Sequence, residues 1–264
     1  MRITSLQNPR IKEIVKLHQH KQRQRHGKLL IEGYRTLLHA VEQRYPLAEL
    51  YVCPTLFFGK NEEMLIRRIA ATGTSVFEVA EDPFRKMSFR PRCEGLLGVA
   101  PQVQRPLTMH RPSLDGFYLI AEAIEKPGNL GTMLRSADGA GVHGVIVCDP
   151  CTDIWHPDVI HGSVGAFFAI PVFDCTTTEA IAWCRRWGIR TLAATPQAER
   201  LYTDVAMQQA TALVVGTEQY GLSRTWLAEA DEQIRLPMYG TANSLNVAVA
   251  ATLLLYEVVR QRTG

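Results

Sequence analysis

The sequence predicts an α/β protein in which a smaller N-terminal α/β/α domain precedes a C-terminal domain built on a mainly parallel sheet. Three observations support this prediction. Short apolar segments alternate with amphipathic segments along nearly the whole chain, as strands alternate with helices in α/β proteins. A polar, proline-containing stretch at 101–115 interrupts the alternation. Beyond it the apolar segments are hydrophobic throughout, which is typical of strands that are covered on both faces.

The length of 264 residues fits two domains of ordinary size. The interruption predicts a linker at 104–115 between a domain spanning 1–103 and a domain spanning 116–264. Hydrophobic residues make up 46% of the sequence and charged residues 21%, as expected for a soluble protein with substantial cores. No apolar run approaches the ~20 residues of a membrane span and no secretory leader is evident, so we expect a cytoplasmic location.

The first domain begins with a helix signal, because Asn8-Pro9 is a typical helix start. Residues 10–22 predict one amphipathic basic helix with Ile11 and Ile14 on its apolar face. Strands and helices then alternate. We expect strands at 29–33, 47–52, 75–80 and 95–100, and helices through 37–41, 62–71 and 82–87.

The second domain begins with a strand at 117–124, a glycine-containing turn at 125–131 and a helix through Met133 and Ala137. Further strands are expected at 144–148, 167–172, 191–195, 212–216 and 233–237. After Pro237 a polar loop leads to Ser244, which we expect to cap a long C-terminal helix. A strand, a loop and a helix N-terminus in succession form the kind of edge at which open α/β sheets bind ligands.

Positive charge is concentrated at the N-terminus. Residues 1–35 contain nine Lys or Arg and two Asp or Glu, a net charge of +7, whereas the rest of the chain carries −4. This asymmetry suggests a phosphate-rich partner such as nucleic acid, although a solvated helix face has the same composition. The candidate contacts are Arg10, Lys12, Lys16, Lys21, Arg23, Arg25 and Arg35.

Two other signals are weak. Cys148 and Cys151 have the spacing of half a zinc site, but no second pair matches them, so we predict no metal and reduced thiols. Gly139-x-Gly141-x-x-Gly144 has the letters of the dinucleotide fingerprint. It ends a helix and enters a strand, whereas the fingerprint leaves a strand and opens a helix. A nicotinamide-dependent oxidoreductase is an alternative that rests on this string alone.

Three motifs occur in order in the second half of the chain. They are Asn129-x-Gly131-x-x-x-Arg135, Gly216-x-Glu218-x-x-Gly221 and Pro237-Met-x-Gly240-x-x-x-Ser244-Leu-Asn246-Val. With the N-terminal segments Asn-Pro-x-Ile-Lys and Ile-Glu-Gly-Tyr-Arg, they resemble the SpoU (TrmH-like) family of RNA 2′-O-ribose methyltransferases in the SPOUT superfamily. The resemblance covers nearly the whole chain.

This resemblance implies a second domain with a deep trefoil knot, an exception to the rule that chains are unknotted. It also implies S-adenosylmethionine as methyl donor, structured RNA (rRNA or tRNA) as substrate of the N-terminal domain, and a homodimer with the active site near the subunit interface. The implied cofactor contacts are Ala194, Thr195, Gly216, Leu236 and Leu245. The implied catalytic residues are Arg135, Asn129, Glu218, Ser244 and Asn246.

Methyl transfer to a hydroxyl requires that the hydroxyl be positioned and lose its proton. The guanidinium of Arg135 can fork onto a phosphate and hold the neighbouring ribose, but arginine is a poor base, so the proton acceptor stays open. Simpler structural roles also stay open: Arg135 as a surface arginine, Glu218 as a carboxylate at a helix start, and Ser244 as a helix cap. A non-catalytic RNA-binding relative is the second alternative function.

Two positions depart from the family pattern. Lys126 stands where many members have asparagine, and His161 stands where a basic residue often precedes the Gly-Ser-Val-Gly segment at 162–165. A neutral imidazole at position 161 would weaken a phosphate contact there.

Overall fold

The structure is a computed structural model that describes residues 2–264. The elements up to residue 101 are β1 (Arg2–Ile3), α1 (Pro9–Lys16), α2 (His20–His26), β2 (Lys28–Glu32), α3 (Tyr34–Glu42), β3 (Glu49–Val52), α4 (Glu62–Ala70), β4 (Ser75–Val79), α5 (Glu81–Met87) and β5 (Leu96–Pro101). The later elements are β6 (Phe117–Glu122), α6 (Pro127–Gly139), β7 (Gly144–Cys148), α7 (Pro157–Gly162), α8 (Ala166–Ala169), β8 (Val172–Cys175), α9 (Thr177–Trp187), β9 (Arg190–Ala194), β10 (Thr211–Val215), α10 (Arg224–Glu229), β11 (Glu232–Ile234) and α11 (Val247–Thr263).

The chain divides into two compact units. The first contains the residues up to Val103 together with Trp155–Ala169, and the second contains Gln104–Ile154 and Ile170–Gly264. The first unit has a five-stranded mixed sheet in the order β1-β4-β3-β5-β2. Strands β1, β4 and β3 are parallel, whereas β5 runs antiparallel to β3 and β2. Its buried core includes Ile11, Ile14, Leu30, Tyr51 and Phe84.

The basic N-terminal segment forms two helices, so the prediction of one helix over 10–22 is wrong. Arg23 explains the break: its buried guanidinium donates to the carbonyl oxygens of Leu17 and His18 at 2.9 and 2.8 Å. Carbonyls at the end of a helix lack partners within the helix, and a cation there also interacts favourably with the helix dipole. Because Arg23 is 0% exposed, the prediction that it contacts RNA is wrong as well.

Residues 155–169 form α7 and α8 within the first unit, so the strand expected at 167–172 is wrong. Phe168 packs against Tyr45 with ring centroids 4.8 Å apart. Gly165 has a φ of +98°, and a Cβ at that position would lie 2.4 Å from the Cβ of His39. A short apolar run fits either a strand or a buried helix, and here packing selects the helix. The strand begins later, at Val172.

The second unit is built on a six-stranded sheet in the order β11-β9-β10-β6-β7-β8, with every pair parallel. All residues of β6, β7 and β10 are buried, as expected for a parallel sheet covered on both faces. The predicted α/β class with a C-terminal parallel sheet is confirmed. Because all six strands run the same way, the loops that follow them lie along one edge of the sheet.

The C-terminal helix begins later than expected. Its cap is Asn246, whose Oδ1 accepts the backbone N–H groups of Ala248 and Val249 at 3.0 and 3.4 Å, so the prediction that Ser244 caps this helix is wrong. The helix lies beside α6, where the hydroxyls of Ser136 and Thr252 are 2.7 Å apart.

The glycine string has the context that the sequence predicts. Gly139 is the last residue of α6, Gly141 has a φ of +70° and Gly144 opens β7. Across residues 2–264, no helix combines the length and apolarity that a bilayer crossing requires.

Candidate active site

Three side chains from three separate motifs meet at the carboxyl edge of the second unit's sheet. Asn129 donates through Nδ2 to Oε1 of Glu218 at 2.5 Å. Asn246 donates through Nδ2 to the same oxygen at 2.7 Å and to Oδ1 of Asn129 at 3.2 Å. We call these three residues the Asn–Glu–Asn cluster. Direct hydrogen bonds thus join Glu218 to Asn129, which is 89 positions away along the chain, and to Asn246, which is 28 positions away.

Local structure fixes the two amides of this cluster. Asn129 lies in the first turn of α6, which Pro127 opens, and Asn246 caps α11. Because Oδ1 of Asn246 already accepts two backbone N–H groups, its Nδ2 is the group that can donate to the carboxylate. The carboxylate is therefore held by donors from two helix N-termini.

Lys126 adds a fourth group, because its Nζ donates to Oε2 of Glu218 at 2.5 Å. The hydrogen bond from Lys126 is the main cause that lowers the pKa of Glu218, and Asn129 contributes in the same direction. The carboxylate in turn raises the pKa of Lys126. A carboxyl group with a lowered pKa is a weaker base, so this arrangement suits Glu218 to orienting its neighbours better than to accepting the substrate's proton.

We expect the Glu218→Gln variant to be less heat-stable than the wild type at neutral pH and equally stable in acid. A carboxyl group with a lowered pKa stabilises the folded state fully above its ordinary value of 4.5, and this stabilisation is lost as the pH falls through the lowered pKa. Melting temperatures between pH 7 and pH 3 measure the difference. Glu125→Gln, which removes an exposed carboxylate from the loop that carries Lys126, is the control. A difference that persists unchanged in acid would contradict the prediction.

The predicted cofactor positions follow three adjacent strands. In the sheet Val214 of β10 is opposite Ala193, and Ile234 of β11 is opposite Ala194, so these strands end at the same level. The backbone N–H of Thr195 donates to the carbonyl of Ile234 at 2.9 Å. Gly216 and Leu236 follow β10 and β11. The structure therefore places Ala194, Thr195, Gly216 and Leu236 along one edge.

Only glycine fits at position 216. A Cβ there would lie 2.3 Å from the carbonyl oxygen of Gly221, because the loop turns back on itself. Thr217 and Gly221 exchange two backbone hydrogen bonds of 3.0 Å, and the N–H of Tyr220 donates to Oγ1 of Thr217 at 2.9 Å. This tight turn holds Glu218 beside the two helix N-termini.

The segment 236–245 fits a nucleoside cofactor. Its backbone N–H and C=O groups make no hydrogen bond with any residue that the structure describes, so they are available to a ligand. Leu236 is half-buried and Leu245 is 36% exposed, so both can offer apolar surface. Free backbone donors and acceptors beside apolar side chains match the edge and the faces of an adenine ring.

Arg135 and Ser244 are not brought into the cluster. Arg135 is exposed on α6, six residues after Asn129, which separates them by about 9 Å along the helix axis and turns them to different faces. Within residues 2–264 Arg135 makes no hydrogen bond or ion pair, and neither does the exposed Ser244. The catalytic roles of Arg135 and Ser244 therefore stay predictions.

Sequence reasoning missed Glu122, the buried last residue of β6. Its Oε1 accepts the hydroxyl of Thr177 at 3.0 Å, and its Oε2 accepts the backbone N–H of Ser223 at 2.8 Å. Ser223 caps α10, so Glu122 ties β6 to the chain that follows the Gly216 turn. A single carboxylate that ends an otherwise apolar strand is the signal that could have identified it.

Among the candidate RNA contacts of the first unit, Arg10 differs from the exposed ones. Its guanidinium pairs with Glu49 at 2.5 Å and lies 4.3 Å from the centre of the Phe77 ring. The candidate RNA contacts whose side chains are exposed are Lys12, Lys16, Lys21, Arg25 and Arg35.

No group of three His, Cys, Asp or Glu in the described part of the chain could hold a metal ion.

Comparison with known proteins identifies relatives over the full length. Residues 116–256 match the SpoU rRNA Methylase family, and residues 8–98 match the MRM3-like substrate binding domain. The 23S rRNA (guanosine(2553)-2′-O)-methyltransferase RlmP of Bacillus subtilis is 28% identical over 97% of this chain and 98% of that protein. The 23S rRNA (uridine(2479)-2′-O)-methyltransferase of Streptomyces viridochromogenes is 31% identical over 91% of this chain and 85% of that protein.

A solved structure agrees with these sequence relatives. The AdoMet-bound rRNA methyltransferase from Sinorhizobium meliloti has a TM-score of 0.91 and 29% identity, and the match covers 100% of this chain and 99% of that one. The family predicted from the three motifs is confirmed. The chain belongs to the SpoU rRNA methylase family.

Proposed function

We propose that the Asn–Glu–Asn cluster and the strand ends beside it are the reaction site of this chain, which is an S-adenosylmethionine-dependent RNA 2′-O-ribose methyltransferase. The observation that carries the proposal is the convergence of Asn129, Glu218 and Asn246 at hydrogen-bond distance. Ligands of parallel α/β sheets bind at this edge.

The residues divide the work of the reaction as follows. Bound S-adenosylmethionine supplies an electrophilic methyl group. Ala194, Thr195, Gly216, Leu236 and Leu245 hold the cofactor through backbone groups and apolar contacts. The Asn–Glu–Asn cluster fixes the loops that surround it, and Ser244 faces the substrate. Arg135 binds a phosphate of the RNA and positions the adjoining 2′-hydroxyl.

We propose 23S rRNA as the substrate. Two of the relatives that match nearly the whole chain are named for methylation of 23S rRNA. The exposed cations of the first unit suit the phosphate contacts that dominate recognition of folded RNA. In this proposal residues 1–103 bind the RNA, 104–115 link the domains and 116–264 catalyse the transfer, except that Trp155–Ala169 belong to the first unit. A ribosomal substrate is also the reason for proposing a cytoplasmic location.

Mapping of 2′-O-methylated nucleotides tests this proposal. We expect one position of 23S rRNA to lose its methyl group in cells that lack the gene. The wild-type gene should restore it, whereas a gene carrying Asn246→Ala should not. A change confined to tRNA would overturn the proposed substrate. Unchanged methylation, together with no S-adenosylmethionine binding in a calorimetric titration, would favour the non-catalytic alternative.

A homodimer formed through α11 is part of the proposal. Val249, Leu253 and Tyr256 are 48%, 44% and 50% exposed, and their spacing puts them on one face of the helix. We call them the α11 apolar row. A self-complementary interface around a two-fold axis would cover such a row.

The same interface explains the position of Arg135. Arg135 and Gly139 lie on one face of α6 because they are four residues apart. A Cβ at Gly139 would lie 3.2 Å from the hydroxyl of Tyr256, so this face adjoins the α11 apolar row. We propose that Arg135 completes the site of the partner subunit. The trefoil knot, formed by the loops after the late strands, stays a prediction.

A further inference from the structure

The first unit contains a cavity of about 570 Å³ that the reaction site does not use. This volume lies within the range of about 300–1,000 Å³ that is usual for small-ligand sites. The walls come from the N-terminus of α3, from the loop that leads into α4, and from the end of α7 with the residues that follow it.

One wall offers hydrogen-bond donors. Gly33 precedes α3 with a φ of +95°, and the N–H of Tyr34 is taken by Oε2 of Glu94 at 3.2 Å. The backbone N–H groups of Arg35 and Thr36 have no partner among the described residues. Thr36 is only 3% exposed, yet its hydroxyl also lacks a partner within residues 2–264. With the exposed Arg35 side chain, these groups can surround a phosphate.

The part of the lining that leads into α4 offers an acceptor. Glu62 is 5% exposed, and its Oε1 accepts the backbone N–H of Gly59 at 2.7 Å. Its Oε2 has no hydrogen-bond partner in the described part of the chain. Because Glu62 lines the cavity, this oxygen can accept N–H groups that a ligand supplies. His161 of α7 also lines the cavity, and its Nδ1 is buried without a hydrogen-bond partner among the described residues.

An aromatic ring also lines the cavity. Phe58 is 56% exposed, and the guanidinium of Arg92 lies 4.5 Å from its ring centre. The side chain of Asn61, the residue before α4, does not cap that helix and is exposed. Proteins bind unstacked RNA bases by stacking them on such rings and by hydrogen-bonding their Watson–Crick edges.

We propose that this cavity binds one unstacked guanosine nucleotide of the RNA substrate, an inference that rests on the proposed function. The phosphate lies against Arg35 and Thr36, and the base stacks on Phe58 with its Watson–Crick edge at Glu62. Only guanine carries two adjacent N–H donors, N1 and the N2 amino group, on that edge. They match the two oxygens of a carboxylate, whereas the edges of adenine, cytosine and uracil also present acceptors toward it.

Binding of short RNAs to the full-length enzyme tests the proposal. The probes are fluorescent heptamers with three uridines on each side of a central guanosine, adenosine, cytidine, uridine or inosine. We expect the guanosine probe to bind about tenfold more tightly than the adenosine, cytidine and uridine probes in fluorescence anisotropy. Inosine lacks the N2 amino group and should bind with intermediate affinity. This comparison uses only the wild-type protein, so it does not depend on whether a variant folds.

Two matched variants assign the preference to Glu62. Glu62→Gln should bind all five probes with the affinity that the wild type has for the uridine probe. Glu63→Gln removes the same charge from the next residue, which is exposed and pairs with Arg67, and should keep the guanosine preference. Arg35→Ala should weaken binding of all five probes equally.

Equal affinity of the wild type for the five probes would overturn the proposal, and so would a guanosine preference that survives in Glu62→Gln. Methyl transfer to 23S rRNA is measured with the same preparations. If the wild type methylates 23S rRNA but shows no preference for the guanosine probe, the guanosine site is rejected and the proposed function stands. Absence of methylation by the wild type rejects the proposed function, while the probes still decide whether the cavity binds guanosine.

Discussion

Replacement of Arg135 with alanine is expected to lower the rate of methyl transfer about 10²–10³-fold and to leave S-adenosylmethionine affinity unchanged. The reason is that Arg135 lies outside the Asn–Glu–Asn cluster and away from the strand ends that would hold the cofactor. Its guanidinium can fix a phosphate, and loss of that contact misplaces the ribose. Single-turnover transfer of a labelled methyl group measures the rate, and calorimetry measures cofactor affinity.

Two further variants test whether the geometry of the guanidinium and its position on α6 cause this loss of rate. Arg135→Lys keeps the charge but loses the two-pronged geometry, so we expect only partial recovery of the rate. Arg186→Ala removes an exposed arginine from α9 and should behave as the wild type. A parallel loss of cofactor affinity in Arg135→Ala would contradict the positioning role and assign Arg135 to the cofactor.

The sequence predicts that the three motifs meet, because parallel strands place the loops that follow them at one edge of the sheet. Once β6 and β10 are identified as buried parallel strands, the loops after them must lie along one edge, and Asn129 and Glu218 come from those loops. Asn246 joins them because it precedes the helix that begins at the same edge. Strand β7, expected at 144–148, has those bounds because its apolar run is preceded by a glycine-containing turn.

The features that the sequence did not predict depend on tertiary contacts. Residues 167–172 are apolar enough for a strand, but the ring contact of Phe168 with Tyr45 favours a helix in the first part. Arg23 belongs to a basic run, and its hydrogen bonds to the end of α1 explain why it is buried. Ser244 and Asn246 are both good caps, and hydrogen bonds to the carboxylate of Glu218 favour Asn246.

Replacement of Leu253 with aspartate is expected to dissociate the proposed dimer, raising its dissociation constant at least about 100-fold. Two-fold symmetry places the new charge twice in the interface, where it is buried without a partner. Sedimentation equilibrium measures the constant. Leu114→Asp changes a fully exposed leucine outside the α11 apolar row and should leave the constant unchanged. A dimer that withstands Leu253→Asp would show that the α11 apolar row is not the interface.

Mixing two inactive variants decides whether Arg135 acts across that interface. An Arg135→Ala protomer retains the Asn–Glu–Asn cluster, and a Glu218→Ala protomer retains the arginine. If each site combines Arg135 of one subunit with the cluster of the other, a mixed dimer has one intact site. After random exchange about half of the dimers are mixed, so activity should return to about a quarter of the wild-type value. If each site lies within one subunit, both sites of a mixed dimer carry a lesion and no activity returns.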